Sequence, residues 1–155
     1  MEEITVEQLA DDEFDEIGPL LVELQLGEQT HFADHPQLSR RDIERELQKL
    51  GSSFEGENII FATRRNGRLA GFCWCVLFDP GTGLEGEVAE LYVAEGERGR
   101  GVGQALLTHA IQLFRERGVT LGYVWTRPDN DAAVRLYRSA GFNETRQLVL
   151  TWYPL

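Results

Sequence analysis

Cysteine and basic residues are both scarce in this chain, and each shortage excludes a class of protein. The two cysteines, Cys73 and Cys75, lie two apart in an apolar run with no histidine nearby. That spacing is neither a CxxC pair nor a zinc-ligand pair, so we expect buried, reduced thiols in a reducing compartment. Fifteen Lys and Arg face 26 Asp and Glu, a formal charge of −11. So acidic a chain lacks the basic footprint of a nucleic-acid-binding protein.

Long apolar runs are missing as well. No stretch approaches the roughly 20 apolar residues that a membrane-spanning helix needs. The first residues, MEEITVEQLADDEFDE, have neither the basic nor the apolar region of a secretory signal. We therefore expect a cytoplasmic protein without membrane contact. His31 and His35, with Asp34 between them, supply too few ligands for a metal site, so no metal is expected.

The negative charge is concentrated at the start of the chain. Residues 1–57 carry a net −12, residues 58–97 a net −3 and residues 98–155 a net +4. One interpretation is an acidic half that attracts a cationic partner and a basic half that attracts a polyanion. The other is that the acids are solvated helix faces. Charge alone leaves both open.

Hydrophobic spacing predicts two helices before the first long strand. A short strand at residues 4–9 precedes a helix from Asp11 to about Leu26, in which apolar residues recur every three or four positions. Ser39 is the cap candidate of a second helix, which Gly51 ends.

From Asn58 onward the pattern changes to strands. NIIFATRR and RLAGFCWCVLF flank Asn66-Gly67, which supplies the positive φ angles of a hairpin turn. EVAELYVA, a helix ended by Gly118, VTLGYVWTR, a helix ended by Gly141 and NETRQLVLTWY follow. The order predicts an α/β (α+β) fold: a single domain over residues 1–155, with a mixed, twisted central sheet of six to seven strands flanked by about four helices.

The segment ELYVAEGERGRGVGQALLTHA joins a strand, a glycine-rich loop and a helix. Glycines let the backbone approach an anion closely, and a helix N-terminus offers unpaired N–H groups with a favourable dipole. The loop has neither GxxxxGK[ST] nor the third glycine of GxGxxG. Its spacing therefore fits either another kind of phosphate site or a simple turn into a core helix.

Two motifs resemble the GNAT family of N-acetyltransferases. RGRGVG at 98–103 is similar to the family's [QR]-x-x-G-x-[GA], and NDAAVRLYRSAGF at 130–142 is similar to N-x-x-A-x-x-L-Y-x-x-x-G-F. The match runs from about residue 58 to 142, and residues 1–57 match only in general layout. The resemblance implies acetyl-CoA as co-substrate, with its pyrophosphate on the loop amides and its pantetheine arm along ELYV. The cofactor-binding residues so implied are Leu91, Tyr92, Val93, Arg98, Gly99, Arg100, Gly101, Val102, Gly103, Gln104, Asn130 and Ala133.

The resemblance also implies a catalytic role for Tyr137. A tyrosine of ordinary pKa, about 10, is protonated at neutral pH and is able to protonate a thiolate leaving group. The simpler interpretation is a tyrosine that packs in the helix seam. Asn130 likewise either caps the helix that follows it or bonds a cofactor amide.

A general base is harder to assign. Glu90 and Glu87 lie on the strand that the resemblance places beside the thioester, and Glu90 is our first candidate. Residues three apart on a strand point to opposite faces unless a bulge intervenes, and family members often have one here. Many relatives use ordered water, so solvent-facing acids remain the other interpretation.

Together these residues predict an acetyl-CoA-dependent N-acetyltransferase in which a primary amine attacks the thioester directly. The acceptor is expected to be a small-molecule or peptide amine, cationic because of the acidic N-terminal part. A homodimer is consistent with the family resemblance. The alternative is a non-catalytic acyl-CoA-binding sensor or interaction module on the same fold. Loss of Tyr137 or of the strand acids would favour that alternative, and both are present.

Overall fold

The computed structural model describes residues 3–34, 36–47, 56–152 and 154. Contacts divide the chain into two compact units, residues 1–125 and residues 126–155. The prediction of a single domain over 1–155 stays a prediction. The first unit contains β1 (Val6–Gln8), a 3₁₀ helix (Asp11–Ile17), α1 (Gly18–Gln29), α2 (Arg40–Leu47), β2 (Glu57–Arg65), β3 (Arg68–Phe78), β4 (Glu85–Val93), a second 3₁₀ helix (Glu95–Glu97), α3 (Val102–Arg117) and β5 (Leu121–Val124). The second contains α4 (Asp131–Ser139).

The sheet of the first unit is mixed, as predicted, with strand order β1-β2-β3-β4-β5. The first four strands are antiparallel neighbours, and β5 runs parallel to β4. Asn66 (φ 53°) and Gly67 (φ 76°) form the β2–β3 turn that their sequence predicts. The described residues form five strands, fewer than the six or seven expected.

Helices cover both faces of this sheet. On one face, Ile17 and Leu21 of the 3₁₀ helix and α1 pack with Ile60 of β2 and Phe72 of β3. On the other face α3 lies close to the strands: a Cβ added to Gly71 would stand only 3.2 Å from the Val102 side chain. The α1 face and the α3 face are therefore set by alternate residues of β3.

The predicted first helix is divided in two. Residues 11–17 form a 3₁₀ helix, and the α-helix begins only at Gly18, with Pro19 in its first turn. Proline has no N–H and clashes with a preceding helical turn, so it favours a new start at this point. Ser39 caps α2 as predicted, since its Oγ accepts a bond from the Asp42 N–H at 3.2 Å. Leu50, Gly51 and His35 lie outside the described residues.

In the second unit, α4 begins after Asn130 and ends before Gly141, as predicted. The predicted final strand is wrong over residues 143–152, which have no regular structure. Leu148, Leu150 and Trp152 are at least 80% exposed. An alternating segment forms a strand only when it pairs with the edge of a sheet, and the alternation by itself does not ensure such a partner.

No helix in the described part of the chain is long and apolar enough to cross a membrane.

Candidate active site

β4 pairs with β5 only as far as Val88, and the rest of β4 has an open edge on that side among the described residues. The parallel pairing runs from Glu85 opposite Leu121 to Val88 opposite Val124, where β5 ends, and β4 continues to Val93. Leu91, Tyr92 and Val93, the residues expected to pair with the pantetheine arm, lie on that continuation and are half-buried. In the described residues this stretch has a strand partner on the β3 side alone.

The glycine-rich loop has the backbone that an anion site requires. Gly99 and Gly101 have φ angles of 77° and 84°, which side chains rarely allow. Gly101 is the residue before α3, whose first N–H groups, those of Val102, Gly103 and Gln104, have no acceptor within the helix. The structure thus places a helix N-terminus directly behind the loop, where it favours negative charge.

The two loop arginines turn back to the protein surface in this structure. The Arg98 Nε donates to the Val93 carbonyl at 3.0 Å, and its guanidinium lies over the Tyr92 ring, 5.5 Å from the centroid. Arg98 therefore fastens the loop to the end of β4. Arg100 donates to Glu97 at 2.7 Å. A depression of about 540 Å³ beside them is lined in part by Arg65, Arg68 and Glu97.

A bulge brings the two candidate bases to one face. Trp74 of β3 pairs with Glu90, and Cys75 pairs with Val88, so Ala89 is an extra residue on β4. Glu87 pairs with Val76, which shares the α1 face with Trp74. Both carboxylates therefore project toward α1, although they are three residues apart.

The surroundings of Glu90 favour its neutral form. Burial, followed by the negative charges of Glu28 and Glu87, raises the pKa of Glu90 to about 7. Burial also raises the pKa of Glu87, and a hydrogen bond from Tyr123 of β5 partly opposes that shift. A carboxyl that titrates near neutrality is suited to proton transfer at working pH.

Glu28 is the member of this group that sequence reasoning missed. It lies seven residues after Leu21 and four after Leu24, so it continues the stripe of α1 that packs on the sheet. The signal available in the sequence was an acid at a position of an apolar stripe, and in the structure Glu28 is half-buried. By contrast, Glu7, Glu13 and Glu16 surround Arg64 on β2, so these acids are engaged two strands away from Glu90 on β4.

Tyr137 and Asn130 belong to the second unit. The Tyr137 side chain is 8% exposed and meets the Phe142 ring edge-on, with centroids 5.9 Å apart. The Asn130 Oδ1 accepts the Ala133 N–H at 3.3 Å, which is the capping alternative. A cap of this kind leaves the Asn130 amide nitrogen as a donor for a ligand.

The remaining candidates have structural roles. Cys73 and Cys75 are fully buried with sulfurs 3.9 Å apart, and their mutual contact raises the pKa of the Cys73 thiol. The His109 ring lies against Phe61, and its Nδ1 is 3.0 Å from the Ala105 carbonyl. Over the described ranges, no three His, Cys, Asp or Glu residues are grouped to hold a metal ion.

Comparisons with known proteins agree with this geometry. The acetyltransferase (GNAT) family profile matches residues 21–142. A mycothiol acetyltransferase from Nocardiopsis dassonvillei is 35% identical over 117 residues, which cover 72% of this chain and 36% of that protein. The chain thus spans about a third of that relative's length.

Solved structures of similar fold cover nearly the whole chain. A putative acetyl transferase from Pyrococcus furiosus superposes with a TM-score of 0.76 at 24% identity, over 99% of this chain and 100% of its own. A predicted acetyltransferase with acetyl-CoA from Clostridium acetobutylicum gives 0.66 at 15% identity, over 96% of each chain. The two motifs, the bulged strand and the profile match over most of the sequence show that this chain belongs to the acetyltransferase (GNAT) family.

Proposed function

We propose that this chain transfers an acetyl group from acetyl-CoA to a primary amine by direct attack, with Glu90 as general base and Tyr137 as general acid. The observation that carries the proposal is the position of Glu90: a carboxyl with a pKa of about 7 stands where β4 loses its β5 partner. A thioester lying along that edge would present its carbonyl carbon beside a group able to accept a proton.

The residues present fit the co-substrate. Beyond Val88, β4 has no strand partner on its β5 side among the described residues, and its backbone N–H and C=O groups there suit the amides of a pantetheine arm, as a further strand would. The loop from Gly99 to Gly101 and the first N–H groups of α3 suit the pyrophosphate. Asn130 adds an amide donor in the second unit. The matched residues are those that the family resemblance assigns to coenzyme A.

The chemistry consists of one displacement. The acceptor ammonium gives a proton to Glu90, and the neutral nitrogen then attacks the acetyl carbonyl. A C–N bond forms, the C–S bond breaks, and the departing thiolate takes a proton from the Tyr137 hydroxyl. The second proton that the nitrogen loses as it becomes an amide restores the Tyr137 hydroxyl, and Glu90 releases its proton to solvent. Backbone N–H groups of β4 stabilise the oxyanion that develops on the carbonyl. Proximity supplies much of the remaining rate enhancement.

The acceptor in this proposal is a cationic amine. The negative charges of Glu28 and Glu87 act on Glu90, so a protonated amine is attracted and a carboxylate is repelled at this place. The support comes from these two acids and not from the N-terminal acids as a group, since three of those surround Arg64.

Thiol release tests the proposal. Purified protein is mixed with acetyl-CoA and a panel of polyamines, basic peptides, neutral amines and acidic amino acids, and free coenzyme A is measured with a thiol reagent. We expect turnover with cationic amines, and the acetylated product by mass spectrometry. Binding of acetyl-CoA without turnover of any amine would instead support the non-catalytic sensor.

A further inference from the structure

One carboxylate oxygen joins the glycine-rich loop to the body of the sheet. The Glu97 Oε2 accepts from the Arg100 Nη1 at 2.7 Å and from the Arg65 Nη1 at 3.1 Å. Arg65 is the last residue of β2, and Arg100 lies within the loop. The Glu97 side chain is 23% exposed, less than either arginine. Glu97 therefore links two elements that are 35 positions apart in sequence.

The loop needs such an external link because its own residues do little to fix it. Gly99 and Gly101 have no side chains and gain conformational freedom from that lack. The backbone bond from Arg98 N to Glu95 O is long, at 3.5 Å. The Arg98 side chain holds the loop to β4, and the Glu97 bridge holds it to β2. Together these two attachments determine where the loop amides point.

We propose that Glu97 is a positioning residue for coenzyme A: by holding Arg65 and Arg100 together it fixes the loop in its phosphate-binding conformation before the ligand arrives. This inference rests on the proposed function, which places the pyrophosphate at the loop. Preorganisation of this kind strengthens binding, because less ordering remains to be done when the ligand binds.

Whether coenzyme A binding becomes weaker or stronger when Glu97 is neutralised distinguishes a positioning role from a purely electrostatic one. Glu97 is negative and lies beside the proposed site of a polyanion, so by charge alone its neutralisation should strengthen the binding of coenzyme A. If Glu97 positions the loop, the same change weakens binding. Glu97→Gln keeps the size and shape of the side chain while removing the charge that holds the two arginines, so the two effects predict opposite results.

Calorimetry with coenzyme A, together with steady-state kinetics, provides the test. For Glu97→Gln we expect the Kd for coenzyme A and the KM for acetyl-CoA to rise about tenfold, with kcat within about twofold of wild type. Hydrogen exchange of the loop amides should become faster in the same variant. Glu95→Gln is the matched control, since it removes an exposed acid from the same 3₁₀ helix and should leave Kd unchanged or slightly lower.

Arg65 supplies the second arm. Arg65→Ala should also weaken coenzyme A binding, and the double variant Glu97→Gln/Arg65→Ala should be no weaker than Glu97→Gln alone, because Arg65 acts through Glu97. Arg65→Lys, which restores a charge on β2, should recover part of the affinity. An unchanged or lower Kd in Glu97→Gln would overturn the proposal, and so would full additivity in the double variant.

Failure of this inference and failure of the proposed site give different patterns. If Gly101→Val weakens coenzyme A binding but Glu97→Gln does not, the loop binds the cofactor and Glu97 does not position it. If neither variant changes Kd while both keep the fold by circular dichroism, coenzyme A does not bind at this loop, and both proposals are wrong.

Discussion

Glu87 and Glu90 share one face of β4, and the extra residue Ala89 between their paired positions is the cause. Without the bulge, the strand's alternation would put one of the two carboxylates against α3. With it, both project toward α1, and the negative charge of Glu87 adds to the cost of charging Glu90. The bulge thus contributes to the raised pKa of Glu90, whose largest cause is burial, followed by the charge of Glu28.

Replacement of Glu90 by glutamine removes the proposed base and keeps its shape. We expect kcat to fall by roughly 10²–10⁴, the usual contribution of such a group. In wild type, kcat/KM should rise with pH through about 7, because the charged form of Glu90 is the one that accepts a proton. In Glu90→Gln this limb should be absent. Glu44→Gln, an exposed acid on α2, is the control, and a wild-type profile in Glu90→Gln would assign the base to water.

The raised pKa of Glu90 also affects stability. Its folded pKa of about 7 exceeds the ordinary 4.5, so the folded state favours the protonated carboxyl. The resulting stabilisation is complete below pH 4.5 and is lost as pH rises toward 7. Glu90→Gln should therefore raise Tm more at pH 8 than at pH 5. Thermal unfolding at both values checks this, and an equal shift at the two pH values would contradict it.

Gly101→Val tests the phosphate loop. A Cβ here meets ordinary packing, with Ile4 at 3.7 Å, but φ is 84°, which a side chain rarely adopts, and the valine would crowd the loop proposed to bind the phosphates. We expect acetyl-CoA affinity to fall at least about tenfold, or 1.4 kcal/mol. Gly118→Val at the other end of α3 has a similar φ of 71° and should cost comparable stability without changing affinity. Equal affinities in the two variants, with intact folds, would place the cofactor elsewhere.

Tyr137→Phe keeps the buried ring and removes its hydroxyl. If Tyr137 protonates the thiolate, kcat should fall about 10²–10⁴ while the Kd for acetyl-CoA stays near the wild-type value. Stopped-flow or steady-state thiol release together with calorimetry separates these quantities. A wild-type kcat would show that the hydroxyl is dispensable and that the side chain serves packing against Phe142.

Glu28→Gln should change both proton transfer and acceptor choice. Removal of its charge should lower the pKa that limits kcat/KM, since Glu28 is a cause of the rise at Glu90. In wild type, activity with cationic amines should fall as salt is added, because the Debye length shortens from about 10 Å at 0.1 M to about 3 Å at 1 M. Glu28→Gln removes part of the attracting charge, so this salt dependence should be smaller in the variant. A neutral amine serves as the comparison substrate. No salt dependence in wild type with cationic amines would remove the argument for a cationic acceptor.

Much of this fold could be predicted from local patterns. Asn66-Gly67 predicted the β2–β3 hairpin, Gly118 the end of α3 and Ser39 the start of α2, because each depends on a few neighbouring residues. The loop glycines and their helix were likewise visible in sequence. The change from 3₁₀ helix to α-helix at Gly18–Pro19 was not predicted, although the Gly-Pro pair is a signal for it. The apolar spacing continues through this point, so it favoured one uninterrupted helix.

The sequence by itself therefore determined the mixed sheet, the hairpin, the helix ends and the motifs that imply the family. Tertiary structure alone decided that Ala89 bulges, that Glu28 of α1 stands near Glu90, and that Glu97 holds Arg65 and Arg100. It also left residues 143–152 unpaired despite their alternating pattern. The physical reason is the same in each case: register, bulges and side-chain charge pairs join residues distant in sequence, and local propensity carries no information on which of them meet.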